Sequence, residues 1–98
     1  MRVLMTVEMD SEAASQSIRD GKLPEVMDTA LKQLQPEAAY FATHDGNRTA
    51  YIVFDLREPA QMPQVAEPFF SALKAKINMC PVMNADDVRE GISRLSRA

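Results

Sequence analysis

Ala38-Ala39-Tyr40-Phe41-Ala42-Thr43-His44-Asp45-Gly46-Asn47-Arg48-Thr49-Ala50-Tyr51-Ile52-Val53-Phe54-Asp55-Leu56 decides the fold. It reads as two strands, roughly 38–44 and 48–56, joined by a tight turn. Thr49 to Asp55 is rich in β-branched and aromatic residues. Asp45-Gly46-Asn47 supplies residues that tolerate the positive φ angles of a hairpin turn. With Phe41 in register with Ala50 or Ile52, one face of the hairpin carries Ala39, Phe41, Ala50, Ile52 and Phe54. The other carries Ala38, Tyr40, Ala42, His44, Thr49, Tyr51, Val53 and Asp55.

Around the hairpin, the chain reads as a single domain over residues 1–98. Its length gives a modest core that a partner would help to complete. Apolar residues make up 46% and charged residues 26%, the balance of an ordinary folded protein. A net charge of -3, with 11 scattered basic residues, offers no field for nucleic acid. Val3-Leu4-Met5 is broken by Thr6, Glu8 and Asp10, too short and too polar for a signal peptide, and no run approaches membrane-spanning length. Cys80 is the only cysteine, so no internal disulfide forms, which fits a reducing cytoplasm. Seven methionines and no tryptophan indicate a pliable interior.

The remaining elements follow from periodicity and caps. A first strand is expected over residues 2–9, with Leu4, Thr6 and Glu8 on one face. A helix opens at Asp10-Ser11, breaks at Asp20-Gly21 and resumes at Pro24 with the stripe Val26, Met27, Ala30, Leu31 and Leu34. Another enters near Glu58-Pro59, with a kink or break expected at Pro68. A short strand over residues 77–82 tolerates Pro81 only at a sheet edge. Asn84 caps a last helix expected to turn Val88, Ile92 and Leu95 inward, with Arg89, Arg94 and Arg97 solvated.

This β-α-β-β-α-β order, with an extra terminal helix, predicts an α+β, ferredoxin-like antiparallel sheet with both main helices on one face. The other face should then be polar if it meets water. Instead it combines Leu4, Tyr40, Tyr51 and Val53 with a few polar groups. Burial of apolar area stabilises by about 25 cal/mol per Å². A symmetric partner is therefore expected, giving a homodimer in which two sheets enclose an α+β barrel.

Tyr51-Ile52-Val53-Phe54-Asp55-Leu56, followed by a helix with Pro68-Phe69-Phe70, resembles the central part of the dimeric α+β barrel superfamily. That superfamily includes muconolactone isomerase and the antibiotic-biosynthesis monooxygenases. Val7-Glu8-Met9-Asp10, Tyr40-Phe41 and Pro81-Val82-Met83-Asn84 leading into Asp86-Asp87 resemble a group of small bacterial proteins of unknown function. The resemblance covers nearly the whole chain and implies the fold. It carries over no strict catalytic signature. The monooxygenase branch often uses an Asn, Trp and His grouping, and this chain has no tryptophan.

Three kinds of side chain suit chemistry on the predicted barrel face. His44, the only histidine, ends its strand at the barrel mouth. It is either a general acid or base or a strand-end group bonded to a loop. Glu8, on the same face as Thr6, either shuttles a proton or pairs with an arginine at the rim. Tyr40, Tyr51 and Thr6 either grip an organic molecule with an apolar body and one polar tip or form the dimer core. Asp55 is expected to cap the turn into the next helix, and Cys80 to be a buried, inert thiol.

No metal-ligand spacing, phosphate-cradling loop or nucleophile elbow is present, and no cofactor is expected. Three readings follow. The first is a homodimer binding a small, mostly apolar organic molecule. The second is a cofactor-independent isomerase or monooxygenase in which Glu8 or His44 moves a proton. The third is an interaction module without a cavity. No nucleic acid or membrane partner is expected.

Overall fold

The computed structural model describes residues 1–96. Its elements are β1 (Arg2–Glu8), α1 (Ser11–Arg19), α2 (Lys22–Leu34), β2 (Ala38–His44), β3 (Asn47–Asp55), α3 (Gln61–Leu73), β4 (Lys76–Pro81) and α4 (Ala85–Ser96). The four strands form one antiparallel sheet in the order β2-β3-β1-β4. This mixed α+β arrangement is compatible with a ferredoxin-like fold, and Arg97 lies outside the described residues.

The hairpin turn is tighter than a three-residue cluster. Only Asp45 and Gly46 bridge the strands, and His44 pairs directly with Asn47. Both bridging residues have positive φ, at 52° and 81°, the signature of a type I′ turn whose twist matches that of the strands. This turn sets Phe41 opposite Ala50 and Tyr40 opposite Tyr51.

Val3, Met5 and Val7 of β1 lie across from Phe54, Ile52 and Ala50 of β3, and all six are buried under α1, α2 and α3. Phe69 and Leu73 of α3, Ala14 of α1 and Ala30 of α2 complete this core. The buried Ser17 hydroxyl donates to the Ala72 carbonyl at 3.2 Å, tying α1 to α3. Asp10 caps α1 by accepting from the Ala13 N–H at 2.9 Å. Gly21, in the left-handed region with φ 73°, turns the chain from α1 into α2. Pro24 is the third residue of α2, since Gly21 rather than Pro24 marks the restart.

One expectation fails on local physics, and two others need adjustment. The α3 helix runs through Pro68 without a break, because Pro68 is exposed while Ala66, Phe69 and Leu73 hold the opposite side in the core. Its missing hydrogen bond falls where water can satisfy the free carbonyl. β4 ends at Pro81, and Val82 continues only as a single backbone bond to the Arg2 carbonyl. Most consequentially, Val88, Ile92 and Leu95 do not turn inward. No residue of α4 is buried, and Ile92 and Leu95 are 58% and 76% exposed.

The helix α4 is nonetheless well begun. Asn84 Oδ1 accepts from the Asp87 N–H at 2.8 Å, and Asp87 Oδ2 accepts from the Asn84 N–H at 3.0 Å, a reciprocal cap. The helix stands apart from the body, tied near its start by Arg2 Nη1 donating to Asp87 Oδ2 at 3.3 Å. The molecule is consequently long, 56 × 28 × 17 Å. Its radius of gyration is 15.7 Å, against about 13 Å for a compact domain of this length.

Candidate functional site on the open sheet face

With α1, α2 and α3 on one side, the other face of the sheet is left uncovered. Strand register arranges it in rows. Tyr40, Tyr51, Thr6 and Asn78 form one row across all four strands. Ala38, Val53, Leu4 and Cys80 form the next. These two central rows carry no charge, yet Tyr40 is 71% exposed and Thr6, Tyr51, Leu4 and Val53 are only half-buried. Cys80 is exposed on this face rather than buried in the core, because β4 places it beside Leu4 and not beside Met5.

Charged groups gather at the two ends. At one end, Arg2 Nε donates to Glu37 Oε1 at 2.7 Å, which holds the guanidinium above its usual pKa range. Asp55 pairs with the Met1 ammonium at 2.6 Å rather than capping α3. The hydrogen bond from that ammonium, and then its charge, hold the Asp55 carboxyl below the usual carboxylate range. The turn into α3 is closed instead by Gln61 Oε1, which accepts from the Arg57 N–H at 2.6 Å and more weakly from the Glu58 N–H.

At the other end the structure brings Glu8 and His44 together. Glu8 is the more enclosed of the two, its side chain 18% exposed against 53% for His44. His44 Nε2 lies 4.0 Å from Glu8 Oε1 and 3.4 Å from Asp45 Oδ2. Asn47 Nδ2 donates to the second Glu8 oxygen, Oε2, at 3.0 Å, so Glu8 is held by a neutral amide while its other oxygen faces the imidazole. Among the described residues no arginine pairs with Glu8. Thr49, beside Glu8 in the register, is buried and donates to the Asn47 carbonyl at 3.0 Å, which fixes the strand beneath the cluster. Glu8 sits two residues along β1 from Thr6 on the same face, a step of about 7 Å. The acid–imidazole pair therefore borders the tyrosine row.

The predicted residues Glu8, His44, Thr6, Tyr40 and Tyr51 thus share one surface. Asn47 and Asn78 join them. Asn47 becomes readable once the turn is taken as two residues long, since His44 then pairs with Asn47. Asn78 has no sequence signal of its own, because its place depends on the register of β4 against β1. Among the described residues no three His, Cys, Asp or Glu side chains stand together to hold a metal ion. No helix of the described residues is long and apolar enough to cross a membrane.

A concavity also lies elsewhere, in the helix layer. It is an open groove of about 610 Å³ between α2 and α3, lined by Val26, Ala30, Leu34, Val65 and Pro68 with glutamine side chains at its rim. Between the helices and the sheet lies the core cluster of Val3, Met5, Val7, Ile52, Phe54, Phe69 and Leu73.

A scan against protein-family models finds no match, and neither does a search of curated proteins. Among solved structures the chain is similar to the de novo designed protein Ferredog-Diesel. The likeness covers 83% of this chain and 85% of that one, at 10% identity and a TM-score of 0.49.

Proposed function

We propose that the protein acts as a homodimer whose two open sheet faces pack together around a small, mostly apolar organic molecule. Tyr40, Tyr51 and Thr6 contact its body and His44 its polar tip. One observation carries this reading: the uncharged Tyr40–Tyr51–Thr6–Asn78 row lies uncovered at the middle of a sheet whose charged groups stand at its ends. An apolar, aromatic centre within a polar rim is the anatomy of a protein interface. A second copy supplies the same pattern, so the surface is self-complementary as a two-fold contact requires.

Sedimentation equilibrium at micromolar concentration is expected to report a dimer. Tyr51→Asp is expected to return a monomer, because it forces a charge into a desolvated face. The wild-type dimer is expected to take up an apolar aromatic dye such as anilinonaphthalene sulfonate at fixed stoichiometry. A compact wild-type monomer overturns the reading. A dimer that excludes the dye leaves only the interaction module.

The Glu8–His44 approach favours a second reading. A carboxylate and an imidazole 4.0 Å apart, bordering an aromatic surface, form an acid–base pair suited to cofactor-independent isomerase or monooxygenase chemistry, in which one of them moves a proton.

A further inference from the structure

We propose that edge strand β2 pairs antiparallel with β2 of a second copy, about a two-fold axis at Phe41, so that two sheets join edge to edge. The contact uses the edge of the sheet and not its open face, so it does not rest on the face-to-face homodimer. Backbone hydrogen bonds locate the free groups of that edge. The Met9 N–H donates to the Arg48 carbonyl at 2.9 Å, and the Leu56 N–H to the Met1 carbonyl at 2.8 Å. Antiparallel partners exchange hydrogen bonds at every second pair. Arg48, Ala50, Ile52 and Phe54 therefore spend their backbone groups on β1. Asn47, Thr49, Tyr51 and Val53 turn theirs to His44, Ala42, Tyr40 and Ala38 of β2. Ala39, Phe41 and Thr43 are left with N–H and C=O groups pointing away from the sheet.

This edge fits itself. With Phe41 opposite Phe41 of the second copy, Ala39 meets Thr43 and Tyr40 meets Ala42, and every outward N–H finds a carbonyl. No Asp, Glu, Lys or Arg stands in β2, so no like charges meet across the axis. Phe41 belongs to the helix side of the sheet yet is 56% exposed, and its partner on β3 is only Ala50. A second Phe41 gives it an aromatic cross-strand neighbour. Tyr40 keeps its place on the open face. β4 suits the role less well. The Val82 N–H donates to the Arg2 carbonyl at 3.1 Å, so by the same alternation Ile77, Met79 and Pro81 face outward, and Pro81 has no N–H to offer.

Area sets the strength. Seven residues at about 3.3 Å each make the shared edge about 23 Å long, and at about 10 Å deep it covers about 230 Å². A stable dimer buries about 800 Å² per partner. Edge pairing alone therefore forms at submillimolar rather than micromolar concentration. It is reversible, so copies with an unpaired β2 edge persist beside the paired ones.

The test is sedimentation equilibrium of the full chain from micromolar to submillimolar concentration. It compares the wild type with Phe41→Lys, Phe41→Asp, an equimolar mixture of these two, and Thr43→Pro. The wild type is expected to show a second association step, dimer to tetramer, at submillimolar concentration. Phe41→Lys and Phe41→Asp alone set like charges opposite each other and are expected to raise the dissociation constant of that step at least about tenfold. Their mixture sets lysine against aspartate and is expected to return to within about threefold of the wild type. Thr43→Pro removes an outward N–H and no bond to β3, so it is expected to weaken the step about tenfold with circular dichroism unchanged. Phe41 and Thr43 lie on the helix side, so the micromolar dimer is expected to persist in every variant. An absent second step overturns the edge pair, as does one indifferent to Phe41→Lys and Thr43→Pro. A mixture that fails to recover overturns the two-fold register at Phe41. A wild type monomeric at micromolar concentration overturns the face-to-face reading alone; the edge step then runs from monomer to dimer with the same response to charge.

Discussion

At the scale of single residues, the cluster of Glu8, His44 and Asn47 sets the terms for chemistry. The Asn47 amide fixes one Glu8 oxygen and leaves the other toward His44, so the carboxylate is oriented rather than free to rotate. If this pair moves a proton, Glu8→Gln keeps the shape and the Asn47 contact but removes the acid–base group. Turnover of an identified substrate is then expected to fall about 100-fold or more in Glu8→Gln, and similarly in His44→Ala. Steady-state kinetics on variants of unchanged sedimentation coefficient checks this, and retained turnover rules out the acid–base role. The shared face of Glu8, His44, Thr6, Tyr40 and Tyr51 was legible in the sequence, because strand alternation assigns a side to every residue once the elements are known. Asn47 was hidden by a one-residue ambiguity in the turn. Asp55 was misread because its partner, the Met1 ammonium, is 54 residues away in the chain and leaves no local trace.

At the scale of elements, caps carried the most reliable information. Asp10 and Asn84 each close a helix as their side chains dictate. Asp10→Ala is expected to destabilise the fold by about 1 kcal/mol, since the Ala13 N–H loses its acceptor at an otherwise exposed site. Urea unfolding monitored by circular dichroism measures the loss, and a change below a few tenths of a kcal/mol places the α1 entry elsewhere. Apolar periodicity was less reliable. The stripes of α2 and α4 look alike in sequence, but only the first meets a core. Periodicity tells which side of a helix is apolar and not what stands opposite it. Pro68 shows the converse: a residue that disrupts helices in isolation is tolerated where its exposed side meets water and Phe69 and Leu73 anchor the other.

At the scale of the whole molecule, a sheet with helices on one side and a helix standing off its edge make an elongated chain with apolar groups on two separate surfaces. Both surfaces lie on or beside edge strands. The two edges are not equally defended. β4 begins with Lys76 and ends with Pro81, a charge and a residue without an N–H, both of which discourage further strand pairing. β2, Ala-Ala-Tyr-Phe-Ala-Thr-His, has neither proline nor formal charge over seven residues. A copy with this edge uncovered therefore presents an open template for cross-β growth. Monomeric Tyr51→Asp protein is expected to develop thioflavin-positive aggregates at high concentration, and a further Ala42→Lys to suppress them by placing a gatekeeper charge in β2. Aggregation that ignores this lysine would trace the hazard to another segment.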